Sequence, residues 1–149
     1  MKIVDLTIQL GKFDTQTNIK IPFELNQTYT QLTIYFNYSP NKSSDDVAIS
    51  QLEEAVVKYA LPGSRPEDYQ VANFLPVDNL ITLSLSKNGR YLGAHHNKSN
   101  DQTIVISAAS ASHGFWPVDV DAGRWELQLN CHCVASKVVK ANVRIEASL

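Results

Sequence analysis

Val139, Ala141, Val143, Ile145 and Ala147 alternate without a break with Lys140, Asn142, Arg144 and Glu146. Side chains two residues apart share a face of a strand, so this run reads as a strand with one buried and one solvated side. The same period recurs along the chain. Val4, Leu6, Ile8 and Leu10 alternate with Asp5, Thr7 and Gln9 until Gly11. Ile19, Ile21, Phe23 and Leu25 alternate with Lys20, Pro22 and Glu24. Pro22 has no N–H to give to a ladder, which predicts an edge strand. Leu32, Ile34, Phe36 and Tyr38 form another apolar face, closed by Pro40-Asn41. Ile81, Leu83 and Leu85 follow, and Asn88-Gly89 is a two-residue hairpin signal with 90–94 as the return arm. Ile104 and Ile106 mark a short strand. After the turn at Asp121-Ala122-Gly123, Trp125, Leu127, Leu129, Cys131 and Cys133 share one face. Many short alternating strands predict an all-β fold, a two-sheet antiparallel β-sandwich of jelly-roll type.

The period changes once. Ile49, Leu52, Val56 and Tyr59 stand at steps of three and four, with Glu53, Glu54 and Lys58 between them. This predicts one amphipathic helix over 44–60, its stripe packed on a sheet. Ser43-Ser44-Asp45-Asp46 offers caps and negative charge at its start, and Pro62-Gly63 stops it. The stretch 61–79 has no clear period. Tyr69, Val71, Phe74 and Leu75 are expected to pin it across one end of the sandwich. No repeat or linker divides the chain, so residues 1–149 are read as a single domain.

Composition excludes several classes. The formal net charge is −2 with both signs dispersed, so the basic patch of a nucleic-acid binder is missing. No run approaches the ~20 apolar residues of a membrane span, and the first residues lack a signal-peptide core. A cytoplasmic protein is expected, with no nucleic-acid or membrane partner. The two cysteines, Cys131 and Cys133, would have Cα atoms about 6.5–7 Å apart along a strand, near the upper limit for a disulfide. Buried free thiols are expected.

No motif establishes a reaction. No Gly-x-Ser-x-Gly elbow, phosphate-binding loop or zinc spacing occurs. Asp119 and Asp121 read as turn residues. No metal site and no cofactor are expected. His95 and His96 are adjacent, so on a strand they face opposite ways. A metal-dependent hydrolase would need a set assembled by folding, such as His95, His113 and His132. Aromatic residues give the better binding argument. Trp125 begins an inward run and reads as core, whereas Trp116 sits in the loop Phe115-Trp116-Pro117, where it can stack on a ligand or plug the sandwich.

The region 79–146 resembles a known module. Its marks are Asn79 to Leu85, the run Gly-Arg-Tyr-Leu-Gly-Ala-His from Gly89 to His95, Gly114-Phe115, and Ala122-Gly123-Arg124-Trp125 before an alternating strand. It looks like the amino-terminal β-sandwich that precedes the catalytic domain in bacterial PHP-type metal-dependent phosphoesterases. Ile21-Pro22-Phe23-Glu24-Leu25 and the helix before the long loop are similar in kind. The family often has Arg before the Gly of the hairpin return, where this chain has Leu92. The resemblance implies that the chemistry belongs to the following domain, whose His-x-His motif is absent here. It also implies an accessory module standing alone.

The leading expectation is therefore a non-catalytic binding module, acting with a PHP-type phosphoesterase or binding a small polar ligand. Arg90, Tyr91, His95, His113 and Trp116 are its candidate surface, placed at one end of the sandwich. The alternative is the small metal-dependent hydrolase, and a third reading is an oligomer joined through an exposed sheet edge.

Overall fold

The strand with the cleanest alternation becomes the centre of a sheet. It is β8, Val139–Ser148, and it pairs with β1, Lys2–Leu10, on one side and β3, Gln31–Ser39, on the other. The computed structural model describes residues 1–43, 45–63, 70 and 74–149, without the side chain of Asp45. Its remaining elements are β2 (Thr17–Leu25), the helix α1 (Asp45–Tyr59), β4 (Leu80–Lys87), β5 (Arg90–His95), β6 (Asp101–Ser107) and β7 (Gly123–Cys133). Two four-stranded sheets result, ordered β1-β8-β3-β6 and β2-β7-β4-β5, with every pairing antiparallel. Only the β4–β5 hairpin stays within one sheet; every other connection crosses to the opposite sheet. That order is an eight-stranded jelly roll.

Each strand buries the face its alternation announces. Leu32, Ile34, Phe36, Val143 and Ile145 from one sheet meet Ile81, Leu83, Leu85, Leu127 and Leu129 from the other. Full burial of such a side chain contributes roughly 1.5–3 kcal/mol. Trp125 is core as expected, stacked on Phe23 with ring centroids 6.2 Å apart. The ammonium of Lys87 lies 5.2 Å from the Trp125 ring centroid, donates to the Asp119 carbonyl and pairs with the Asp121 carboxylate. The two aspartates therefore do more than turn the chain: they satisfy a nearly buried cation. Pro22 lies on β2, which is an edge strand as proline requires. Leu6 points toward the core side yet stays exposed, because β1 is the outermost strand of its sheet.

One buried polar node closes an end of the sandwich. The Asn79 side chain donates to the Pro40 carbonyl and the Ser136 hydroxyl and accepts from the Ala135 N–H. The Tyr38 hydroxyl donates to the Asn79 carbonyl. This node ties the end of β3, the start of β4 and the bend after β7 together.

The helix forms, but its buried stripe differs from the expected one. Ala48 is fully buried, Leu52 and Val56 are half-buried, and Ile49 and Tyr59 are exposed. The inward face follows Ala48, Gln51, Leu52 and Val56, displaced by about one position at its start from the apolar stripe. Gln51 explains the displacement in part, since its amide donates to the Val134 carbonyl at 2.8 Å and sets that edge against the bend. Ser44 lies outside the described residues, as do Tyr69 and Val71 of the expected loop anchor. Phe74, another expected anchor, is exposed.

Candidate functional site

β5 is the last strand of its sheet, so its outer N–H and C=O groups need partners. A segment before β7 supplies them. Ala94 N donates to Gly114 O at 3.1 Å, Trp116 N donates to Leu92 O at 2.8 Å, and Gly93 and Phe115 form the bridge between. Two glycines make this approach possible. Gly93 and Gly114 have φ of +131° and +89°, which L side chains rarely adopt. A Cβ on Gly93 would stand 2.1 Å from the Gly114 carbonyl oxygen, and one on Gly114 would stand 2.4 Å from that of Ala94. Both glycines belong to the sequence runs that carry the resemblance above, and this contact is the physical reason for them.

The five candidate residues lie along this edge, at the side of a sheet rather than at the end of the sandwich, but the structure does not bring them onto one face. Arg90 and Tyr91 follow the hairpin turn, with Tyr91 opposite Ser86 on the outer face. Trp116 is next to Leu92 through its backbone bond. Phe115, one residue earlier, points the other way and is buried. His95 and His113 meet with ring centroids 4.8 Å apart and planes inclined at 70°. The register shift beside Leu85 and Ser86 sets Tyr91 opposite Ser86 but His95 opposite Leu83, so Tyr91 and the His95–His113 pair lie on opposite faces of the sheet, about 13 Å apart at strand rise. Tyr91 is 61% exposed and Trp116 71% exposed. Trp116 thus does not plug the sandwich.

The remaining histidines form a second pair. His96 and His132 have ring centroids 5.1 Å apart. His132 Nε2 lies 2.8 Å from the Thr82 hydroxyl, and Asn130 donates to the same hydroxyl oxygen. Burial is the main cause lowering the His132 pKa below the ordinary imidazole value, and the neighbouring His96 adds to it. This pair was not legible in the sequence, because the pairing of β4 with β7 that puts Thr82 beside Asn130 is a tertiary fact.

The set His95, His113 and His132 is not assembled. His95 and His96 face opposite ways, so each takes a different partner. Among the described residues no group of three His, Cys, Asp or Glu side chains is placed to hold one metal ion. A catalytic zinc needs about three protein ligands, so the fold-assembled hydrolase centre lacks its geometry.

The thiols offer no nucleophile. Cys131 and Cys133 are free. Burial pushes the Cys131 thiol up to about 11, with the Asp14 charge adding to the effect. Burial likewise raises Cys133, with Asp78 second. Reactive cysteines are shifted the opposite way. A cleft of about 380 Å³ lies between α1 and the end of β7, lined in part by Gln51, Leu52, Lys58, His132 and Cys133. Among the described residues, no helix is long and apolar enough to cross a membrane.

Neither a scan against protein-family models nor a search of the curated proteins finds a match to this chain.

Proposed function

We propose that this chain is a non-catalytic binding module that takes a small polar ligand along the β5 edge, as an accessory to a PHP-type phosphoesterase. The observation that carries the reading is the pair Tyr91 and Trp116. Two large aromatic side chains stand in solvent where the close approach of two backbone segments, permitted by Gly93 and Gly114, sets them side by side. Exposed aromatics on a rigid edge offer contact area with little ordering cost on binding. Arg90, next to Tyr91, adds a permanent cation, which suits a polar or anionic ligand, while the His95–His113 pair lies on the other face of the edge. The accessory role rests on the sequence resemblance.

Fluorescence provides the test. The chain has two tryptophans, and Trp125 is sealed in the core at 1% exposure, so Trp116 is the accessible reporter. Titration with a panel of monosaccharides, sugar phosphates and dicarboxylates, and with a PHP-type catalytic domain, should shift the emission for at least one member. Tyr91→Ala should weaken that member at least tenfold, and Trp116→Ala should abolish the signal, both with melting temperatures within about 2 °C of the parent. A fall of more than about 6 °C in either variant would make the aromatics structural. A silent panel would equally remove the reading.

A further inference from the structure

The His96–His132 pair is in edge-to-face contact on an exposed face and, unlike the His95–His113 pair, is held by a polar shell. The ring planes are inclined at 60° and the centroids are 5.1 Å apart. Two imidazoles on one zinc ion, each nitrogen about 2.0–2.1 Å from the metal, would have ring centres roughly 5 Å apart at a tetrahedral angle. We propose that His96 and His132 form a two-imidazole site for a divalent transition ion on the outer face of the second sheet, with Thr82 and Asn130 as its supporting shell.

The support is built into the sheet. Thr82 and Asn130 are paired residues of β4 and β7. The Thr82 hydroxyl engages His132 Nε2 at 2.8 Å, and Asn130 donates to that hydroxyl oxygen at 3.4 Å. In the tautomer whose Nε2–H donates to Thr82, Nδ1 is the His132 nitrogen that carries a free lone pair, and metal binding would select that tautomer. A ligating histidine ordinarily gives its other ring N–H to such a partner, which fixes the tautomer and the ring orientation. Both rings of the pair are exposed, so a hydrated ion can reach them. The His95–His113 pair has a similar spacing but no such support: among the described residues, neither of its rings has a hydrogen bond. Imidazole suits zinc, copper and nickel rather than magnesium or calcium. Two protein ligands leave the rest of the coordination to water, so the site binds an ion without supplying a catalytic centre.

Calorimetric titration of the tag-free chain with zinc near neutral pH tests this, together with the imidazole NMR resonances of the parent protein. One ion per chain should bind and shift the His96 and His132 signals. His96→Ala and His132→Ala should each weaken binding at least tenfold. Thr82→Val should weaken it about 10- to 100-fold, as loss of such a partner does. His113→Ala should leave it unchanged. The absence of heat and of imidazole shifts at millimolar zinc would overturn the proposal, and so would binding that survives both the His96 and His132 substitutions or that depends on His113. The NMR readout on the parent keeps the test valid even where a variant folds poorly.

Discussion

The sandwich and the helix are built from equally periodic sequence, yet they are anchored very differently. In the sandwich, apolar alternation on one strand meets apolar alternation on the facing sheet, and both bury. Leu32, Ile34 and Phe36 have no measurable exposure, and neither do Leu127 and Leu129 opposite them. In α1 only Ala48 is fully buried, while Val57 is 70% exposed and Tyr59 67% exposed. A shallow apolar cleft of about 240 Å³ remains between Val56, Tyr59 and Phe74. A period identifies an element; a complementary partner decides how much of it is buried. The two sheets are each other's partners, so the helix is left with the margin.

The two cysteines measure this difference directly and give the largest expected contrast. Cys131 is inside the sandwich, whereas Cys133, two residues on, lines the cleft beneath α1. Cys131 should react with a thiol reagent only when the sandwich opens, and a global stability of even about 5 kcal/mol would slow it a thousandfold or more. Cys133 should react much sooner, because a local shift of α1 is enough. Both should speed up on unfolding, and both should be found reduced in freshly purified protein. Equal rates in the native protein, read by mass spectrometry of the alkylated chain, would mean that helix and sandwich open as one unit.

Core substitutions come next. Val143 lies on the buried face of β8 between the sheets. Val143→Asp should cost about 4 kcal/mol or more, since it leaves a carboxylate there without a partner. Arg144, the next residue, is half-exposed, pairs with Glu146 and lies 4.4 Å from the Tyr35 ring centroid. Arg144→Asp should cost below about 1 kcal/mol. Denaturant melts of both variants check the facing of the whole strand.

How far this was legible in the sequence follows from the same physics. Strand faces were, because alternation encodes them locally: β8, β7 and the Asn88-Gly89 hairpin fall where the pattern puts them. The edge character of β2 was readable from Pro22. That Trp116 lies beside Tyr91 and Leu92, and His113 beside His95 on the other face, was not readable, because the contact of Gly93 with Gly114 joins segments with no shared local signal. The pairing of His96 with His132 was hidden for that reason too: the alternation showed that His95 and His96 face apart, but not which histidine each would meet. The helix stripe was misplaced by about one position because hydrophobicity does not register Gln51, whose bond to Val134 turns the helix.

Ala48 sharpens that last point. It is the one fully buried residue of α1 among those described. Ala48→Leu should cost about 1–3 kcal/mol through overpacking, although it raises both helix propensity and hydrophobicity. An increase in melting temperature would show that the helix is loose even at this point.

The smallest expected effect lies on the opposite face of α1. Val57 makes no buried contact, and valine is a mediocre helix former, so Val57→Ser should change the unfolding free energy by less than about 0.5 kcal/mol in either direction. The same substitution in the sandwich, at Val143, would remove a buried methyl pair and place a hydroxyl in the core, at about 1–3 kcal/mol. Comparing the two valine-to-serine variants in one denaturant series isolates burial, because the chemistry of the change is identical. If Val57→Ser destabilises as much as Val143→Ser, the exposed face of the helix has a partner in solution, and the margin assigned to α1 is part of a larger buried surface. If it does not, the helix is held by the partly buried face of Ala48, Leu52 and Val56 and the Gln51 amide bond, and stability resides mainly in the two sheets.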